Sequence, residues 1–344
     1  MKQVSRVILS AVFALLITGS AFSQVKIIGA GSTFDYPIFS KWFDFYKSKT
    51  GVEINYQSIG SGGAIKGILD GTIDFGASDG PMTDVQLQEA REKQNTLVLH
   101  LPIIMGGVAI TYNLPNVGHG LKLDADALTK IYLGQITNWN DPQIKSLNPD
   151  KSIPDMPILV THRSDGSGTT YCFVDYLSKT NAEWEKKVGR GTSVNWPVGL
   201  GGKGSEGVTG LIRQSEGAIG YVELVYAVQN KLPYAQIKNK SGNFVFPTLE
   251  NVTAAAAGAA KNMPDDLRVS ITDAAGKDAY PISTFSWILA YQHGKDKSKT
   301  DAFKKFLKWA VSDGQRYAKE LLYAPIPKQV ESLDVKKINS IALK

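Results

Sequence analysis

Three short Gly/Ser/Thr segments, each placed where an extended stretch gives way to a helical one, constrain this chain most. They are Gly29-Ala30-Gly31-Ser32-Thr33-Phe34, Ile59-Gly60-Ser61-Gly62-Gly63 and Arg163-Ser164-Asp165-Gly166-Ser167-Gly168-Thr169-Thr170. A helix start carries unpaired backbone N–H groups and the positive end of the macrodipole. Gly lets an anion approach the backbone, and Ser and Thr add hydroxyl donors. With Arg163 in the third segment and Asp79 in a fourth turn, Ser78-Asp79-Gly80-Pro81, they read as one anion cage divided among several loops. That reading requires the segments to converge in space.

The surrounding pattern places them in an α/β frame. Residues 25–28 form a short strand leading into the first segment, and residues 35–47 are helical, with Phe39, Trp42, Phe43 and Tyr46 repeating at three and four. Residues 52–57 alternate as a strand and feed the second segment. A short helix over 64–69 and a strand over 72–77 ending at Asp79 complete a βαβαβ order. This order predicts a parallel sheet with crossover helices. A polar helix over 84–93 precedes two apolar strands, 97–104 and 107–113, with Met105-Gly106-Gly107 between them as a hinge. A second βα series follows: a helix over 123–132, a strand over 157–162 into the third segment, a helix over 167–178 and a strand over 217–222. Near the end come a β run over 284–291 and helices over 302–311 and 314–322, and Ala254-Ala255-Ala256-Ala257 reads as helix. Two βα series joined by apolar strands predict two lobes with a cleft between them. Ligands in open α/β sheets bind outside the carboxyl ends of the strands, where all three Gly segments sit.

The ends and the composition set bounds. Met1 to Arg6 is a basic start, residues 7–18 are apolar but short for a bilayer, and Ala21-Phe22-Ser23 is a small-x-small cleavage site. These features predict a secretory signal peptide over residues 1–23 and an exported mature chain. About 320 residues then remain, enough for two domains. With 43% hydrophobic and 20% charged residues the chain is globular. The formal charge of +6 becomes +4 once Lys2 and Arg6 are removed. It suits an anionic ligand, but the basic residues are scattered, which argues against nucleic acid. Cys172 is the single cysteine, so no internal disulfide forms, and its aromatic flanks suggest a packing residue.

Each motif also has a bland reading. A Gly segment alone is a helix cap plus a tight turn. Arg163 alone is a surface cation paired with Asp165. Asp79 alone is an N-cap for the helix after Pro81, and a carboxylate in an anion site makes sense only if the ligand donates a proton to it. The stretch over 199–207, Gly-Leu-Gly-Gly-Lys-Gly-Ser-Glu-Gly, fails the nucleotide-loop pattern because Pro197 stands where its first Gly belongs; it reads as a surface loop. Enzyme signatures are sparse. There is no Gly-x-Ser-x-Gly elbow, and His100, His119, His162 and His293 are dispersed without metal-ligand spacing. His162 reads as a strand residue turned away from Arg163.

Read together, these residues resemble a known family. Gly29 to Phe34, Gly60-Ser61-Gly62, Asp74-Phe75-Gly76-Ala77-Ser78-Asp79 and Asp165-Gly166-Ser167-Gly168-Thr169 are similar to the periplasmic phosphate-binding proteins of phosphate ABC transporters. Ile131-Tyr132-Leu133-Gly134, Trp196-Pro197, residues 199–204 and Gly217 to Glu223 match as well. The resemblance implies phosphate ligands at Thr33, Phe34 (through its backbone N–H), Ser61, Asp79, Arg163, Ser167, Gly168 and Thr169, with Asp165 pairing the Arg. It departs at the second segment, where a second Ser often follows Ser61, and at His162, where the family is often basic. It further implies a type II two-lobed periplasmic binding fold, with crossings near 105–106 and 281–283. One lobe would take 24–104 plus 284–344, and the other 105–283. The expected activity is binding inorganic phosphate in the periplasm, as a monomer, for delivery to ABC transporter permease subunits, with no catalysis, metal or cofactor. The competing readings are an exported phosphatase or phosphate-transfer enzyme, and a receptor for sulfate or molybdate.

Overall fold

Strand and helix alternate from the first residues of the computed structural model, which describes residues 25–344. The expected signal peptide, residues 1–23, lies outside the described residues. Strand β1 (Lys26–Gly31) leads through a turn into α1 (Tyr36–Thr50). Then come β2 (Glu53–Ser58), α2 (Ser61–Asp70), β3 (Phe75–Ser78), α3 (Asp84–Gln94) and a long strand, β4 (Val98–Tyr112). The second series contains β5 (Leu159–Arg163), α4 (Gly168–Thr180), β6 (Leu200–Gly202), α5 (Gly204–Gln214), β7 (Ala218–Glu223) and α6 (Leu224–Gln229). The chain returns through β8 (Ser283–Tyr291) and closes with α7 (Lys297–Val311) and α8 (Lys328–Asn339).

The eight strands follow the order β2-β1-β3-β8-β4-β7-β5-β6. β1 lies parallel to β2 and β3, and β5 lies parallel to β7 and β6. β4 and β8 are antiparallel to their neighbours and join the two parallel sets. Along β4, residues up to Gly107 pair with β8, and residues from Val108 to Tyr112 pair with β7. One continuous strand therefore replaces the two strands expected over 97–113. The glycines there serve packing: a Cβ on Gly106 would lie 2.5 Å from the Phe34 ring. The expected helix over 314–322 is two short 3-10 turns, Asp313–Tyr317 and Lys319–Leu321.

Each parallel set rests on an aromatic layer beneath its Gly segments. α1 buries Ile38, Phe39, Trp42, Phe43 and Tyr46, the face its apolar periodicity predicts. Phe39 meets Tyr56 edge-on at 5.0 Å, and Phe75 stacks on Phe303 at 5.0 Å. In the other set Phe173 stacks on Tyr221 at 4.7 Å and meets Tyr132 at 4.7 Å. Each such buried ring contributes roughly 1.5–3 kcal/mol over leaving it in water. The loops above them are thus held by packed cores.

Candidate functional site

The helix starts bring the separated segments to one place. Asp79 follows β3 and is 1% exposed. It is not an N-cap, because Thr83 caps α3 in a reciprocal box with Gln86. Its carboxylate instead accepts three hydroxyls. Ser32 and Ser61 donate to Oδ1 at 2.7 and 3.1 Å, and Thr169 donates to Oδ2 at 2.9 Å. Those hydroxyls come from the β1–α1 turn, the first turn of α2 and the first turn of α4. The α4 start presses close: a Cβ on Gly168 would lie 2.5 Å from the Asp79 carboxyl carbon, so only glycine fits. The Gly168 N–H donates to the Ser61 hydroxyl at 3.0 Å, and the Gly62 N–H to the Gly166 carbonyl at 2.8 Å. Burial pushes the Asp79 carboxyl up, against the lowering pull of the Ser32 and Thr169 hydroxyls and of Arg163.

Arg163 ends β5 and forms the second charged pole. Its Nε and Nη2 donate to the two oxygens of Asp165 at 2.7 and 2.6 Å, a planar fork on a carboxylate. Nη1 donates to the Thr33 hydroxyl at 3.1 Å. The Arg163 backbone N–H donates to the Tyr221 hydroxyl, fixing the strand end to the aromatic layer below. Burial alone would lower the guanidinium, but the Asp165 hydrogen bonds and charge outweigh it and raise it. Burial likewise opposes ionisation of Asp165, yet Arg163 and the Gly204 N–H hold it below the usual carboxylate range. The surface-cation reading fails, since Arg163 is 4% exposed.

All nine residues anticipated from the sequence lie in this cluster or border it. Ser167 also caps α4, its hydroxyl accepting the Thr170 N–H at 3.1 Å. Among the described residues, the N–H groups of Phe34 and Thr169 have no hydrogen-bond partner. Phe34 itself is fully buried, its carbonyl bonded by Tyr323.

Four participants escaped the sequence reading. Ser32 sits inside the first segment, where the sequence marks it only as part of the pattern. Ser205 shares a hydrogen bond with the Thr33 hydroxyl at 2.8 Å, and the Gly204 N–H donates to Asp165 at 3.0 Å. Residues 199–207 are largely exposed, as expected, but they are not a loop. They are β6, the turn after it and the start of α5, a further strand-to-helix junction abutting the cluster. Tyr226 donates to the Thr33 carbonyl at 2.6 Å. The cue was present in the Gly-Ser content of 199–207, which resembles that of the other segments.

Two further carboxyls lie buried behind the site. Asp35 precedes α1 yet makes no cap; its Oδ2 accepts from Ser286, and Oδ1 has no partner among the described residues. Glu223 ends β7, with Oε2 accepting the Val225 N–H and Oε1 without a partner among them. Burial first, and neighbouring carboxylates second for Asp35, hold both acids well above their usual range. His162 stacks on Trp196 at 4.9 Å, outside the cluster. Cys172 is buried in α4, where burial pushes its thiol up, consistent with a packing role. Among the described residues, no three His, Cys, Asp or Glu side chains are placed to hold a metal ion, and no helix is long and apolar enough to cross a membrane.

A family model described as a PBP superfamily domain matches residues 17–314. The phosphate-binding protein PstS of Xylella fastidiosa (strain 9a5c) is 47% identical over 314 residues, covering 90% of this chain and 85% of that protein. The chain belongs to the PstS family. The PstS protein of Haemophilus influenzae (strain ATCC 51907 / DSM 11121 / KW20 / Rd) is 42% identical over 322 residues, with 93% and 95% coverage. A solved phosphate-binding protein from Stenotrophomonas maltophilia, 17% identical, superposes with a TM-score of 0.68 over 93% of this chain and 96% of that one. The fold is thus the α/β type II periplasmic binding protein fold shared by PstS proteins.

Proposed function

We propose that the chain binds inorganic phosphate between its two lobes in the periplasm and hands it to the permease subunits of an ABC transporter. The observation that carries this reading is a single buried cluster holding both a cation, Arg163, and a carboxylate, Asp79, ringed by hydroxyls and helix-start N–H groups. Phosphate at neutral pH is an anion that still has a proton to give. Arg163, the Thr33, Ser61, Ser167 and Thr169 hydroxyls and the Phe34, Gly168 and Thr169 N–H groups would donate to its oxygens. Asp79 would accept its proton, and Asp165 would fix the Arg163 fork. The Ser61 and Thr169 hydroxyls that bond to Asp79 in this structure would turn to the anion. The lobes would be 24–104 plus 284–344 and 105–283, meeting where β4 changes partner.

The protein is read as a binder without chemistry. Relatives are named as binding proteins, and the cluster offers no base beside a hydroxyl except Asp79, whose oxygens already accept the Ser32, Ser61 and Thr169 hydroxyls. Donors that grip ground state and transition state equally accelerate nothing. Incubation of the purified protein with an aryl phosphate, with and without added divalent metal, is expected to give no turnover above background. Turnover that follows the protein peak and is lost in Ser167→Ala would instead support the phosphatase alternative.

A further inference from the structure

We propose that Ser32 is a specificity-determining positioning residue: its hydroxyl keeps Asp79 an acceptor and so lets the site refuse an oxyanion that has no proton to give. This rests on the phosphate reading above and deepens it. Ser32 is fully buried in the turn between β1 and α1. Its hydroxyl donates to Asp79 Oδ1 at 2.7 Å and accepts the Asp35 N–H at 3.3 Å. Asp35 is anchored in turn by the Ser286 hydroxyl of β8 at 2.6 Å. The Ser32 oxygen is therefore fixed from behind, with its one proton aimed at Asp79.

The other two hydroxyls on Asp79 are in a different position. Ser61 and Thr169 lie in the first turns of α2 and α4, among the helix-start donors that would face the anion. A bound phosphate draws their protons away. Ser32 then remains the hydroxyl donor on Asp79 that the anion does not draw on.

The surroundings make that donor matter. The groups facing Asp79 are Arg163 from β5, Asp35 before α1, Glu223 at the end of β7, Cys172 of α4, Tyr56 of β2 and Tyr323. Arg163 is the one cation among them. Asp35 and Glu223, whose ionisation burial opposes, supply no positive charge. Without Ser32, Asp79 would take up a proton at a higher pH. Protonated, it would donate a hydrogen bond and accommodate sulfate, which the ionised form repels. A hydrogen bond to a charged group corresponds to roughly tenfold to hundredfold in an equilibrium constant, or about one to two pH units for Asp79.

The test is competition of sulfate against labelled phosphate from about pH 5 to about pH 8, in the wild-type protein and in Ser32→Ala and Ser32→Cys. The Cys variant keeps the shape and has a weak donor, so it carries the test if the Ala variant fails to fold. The expected result is that the pH below which sulfate begins to compete moves up by about one to two units in the variants. Competition curves that superimpose on wild type, or a uniform loss of both affinities at every pH, would overturn the role of Ser32. Failure of the wild-type protein itself to prefer phosphate at about pH 8 would overturn the phosphate reading instead.

Discussion

The two charged poles of the site are assembled in opposite ways. Arg163 and Asp165 stand two residues apart in one loop, and their paired fork is complete without help from elsewhere. Asp79 draws its three hydroxyls from positions 47, 18 and 90 residues away. The local pole owes its charge pairing to neighbours in sequence, and Gly204 and Thr33 add single hydrogen bonds to it. The distributed pole exists only when four separate junctions are packed together. In the proposed reading one would supply charge and the other discrimination, because an acceptor whose proton count depends on its surroundings can sense whether a ligand brings a proton.

The largest expected effect comes from removing the cation. Arg163→Ala should weaken phosphate binding by about 2–5 kcal/mol, as for a buried hydrogen-bonded charge that loses its partner. Arg163→Lys should recover only part of this, since an ammonium cannot reproduce the planar fork. Isothermal titration with phosphate measures both. Wild-type affinity in Arg163→Ala would mean that the anion does not sit at this pole.

The next effect probes the acids behind Asp79. Asp35 and Glu223 have folded pKa values raised well above the ordinary carboxylate range. Their contribution to stability is present in full below the unfolded pKa, about 4, and is lost as pH rises through the raised folded values. An Asp35→Asn, Glu223→Gln double variant should therefore gain on wild type in melting temperature as pH increases. A difference between the two proteins that stays flat from acid to alkaline pH would show that folding does not shift the titration of these acids.

The smallest effect should come from the local pole's own partner. Asp165 is partly exposed. Arg163 stays charged without it, and asparagine keeps an acceptor, so Asp165→Asn should cost less phosphate affinity than Arg163→Ala. A loss as large as that of Arg163→Ala would mean that the fork cannot hold its orientation from Thr33 and the strand end alone.

The contrast also explains what could be read from the amino-acid sequence. The three Gly/Ser/Thr junctions, Arg163 with Asp165, and the βα order are short-range patterns, visible within windows of a few residues. Residues 199–207 carry similar composition, yet their place depends on the Ser205–Thr33 bond across 172 residues. Ser32 gave no signal of its own, because any hydroxyl in such a turn has several partners available. Gly106-Gly107 suggested a break in the chain. The structure uses Gly106 to admit the Phe34 ring against a strand that runs straight through. A glycine placed for a close approach looks the same in sequence as one placed for flexibility.

Calorimetric titration of the purified protein with phosphate and with sulfate at neutral pH tests the central claim most directly. The two anions are tetrahedra of similar size, so only the proton that phosphate can offer Asp79 separates them. The account predicts tight phosphate binding with sulfate weaker by roughly ten-thousandfold or more, the discrimination open to a site built around one buried hydrogen bond. Comparable affinities for the two anions would contradict it.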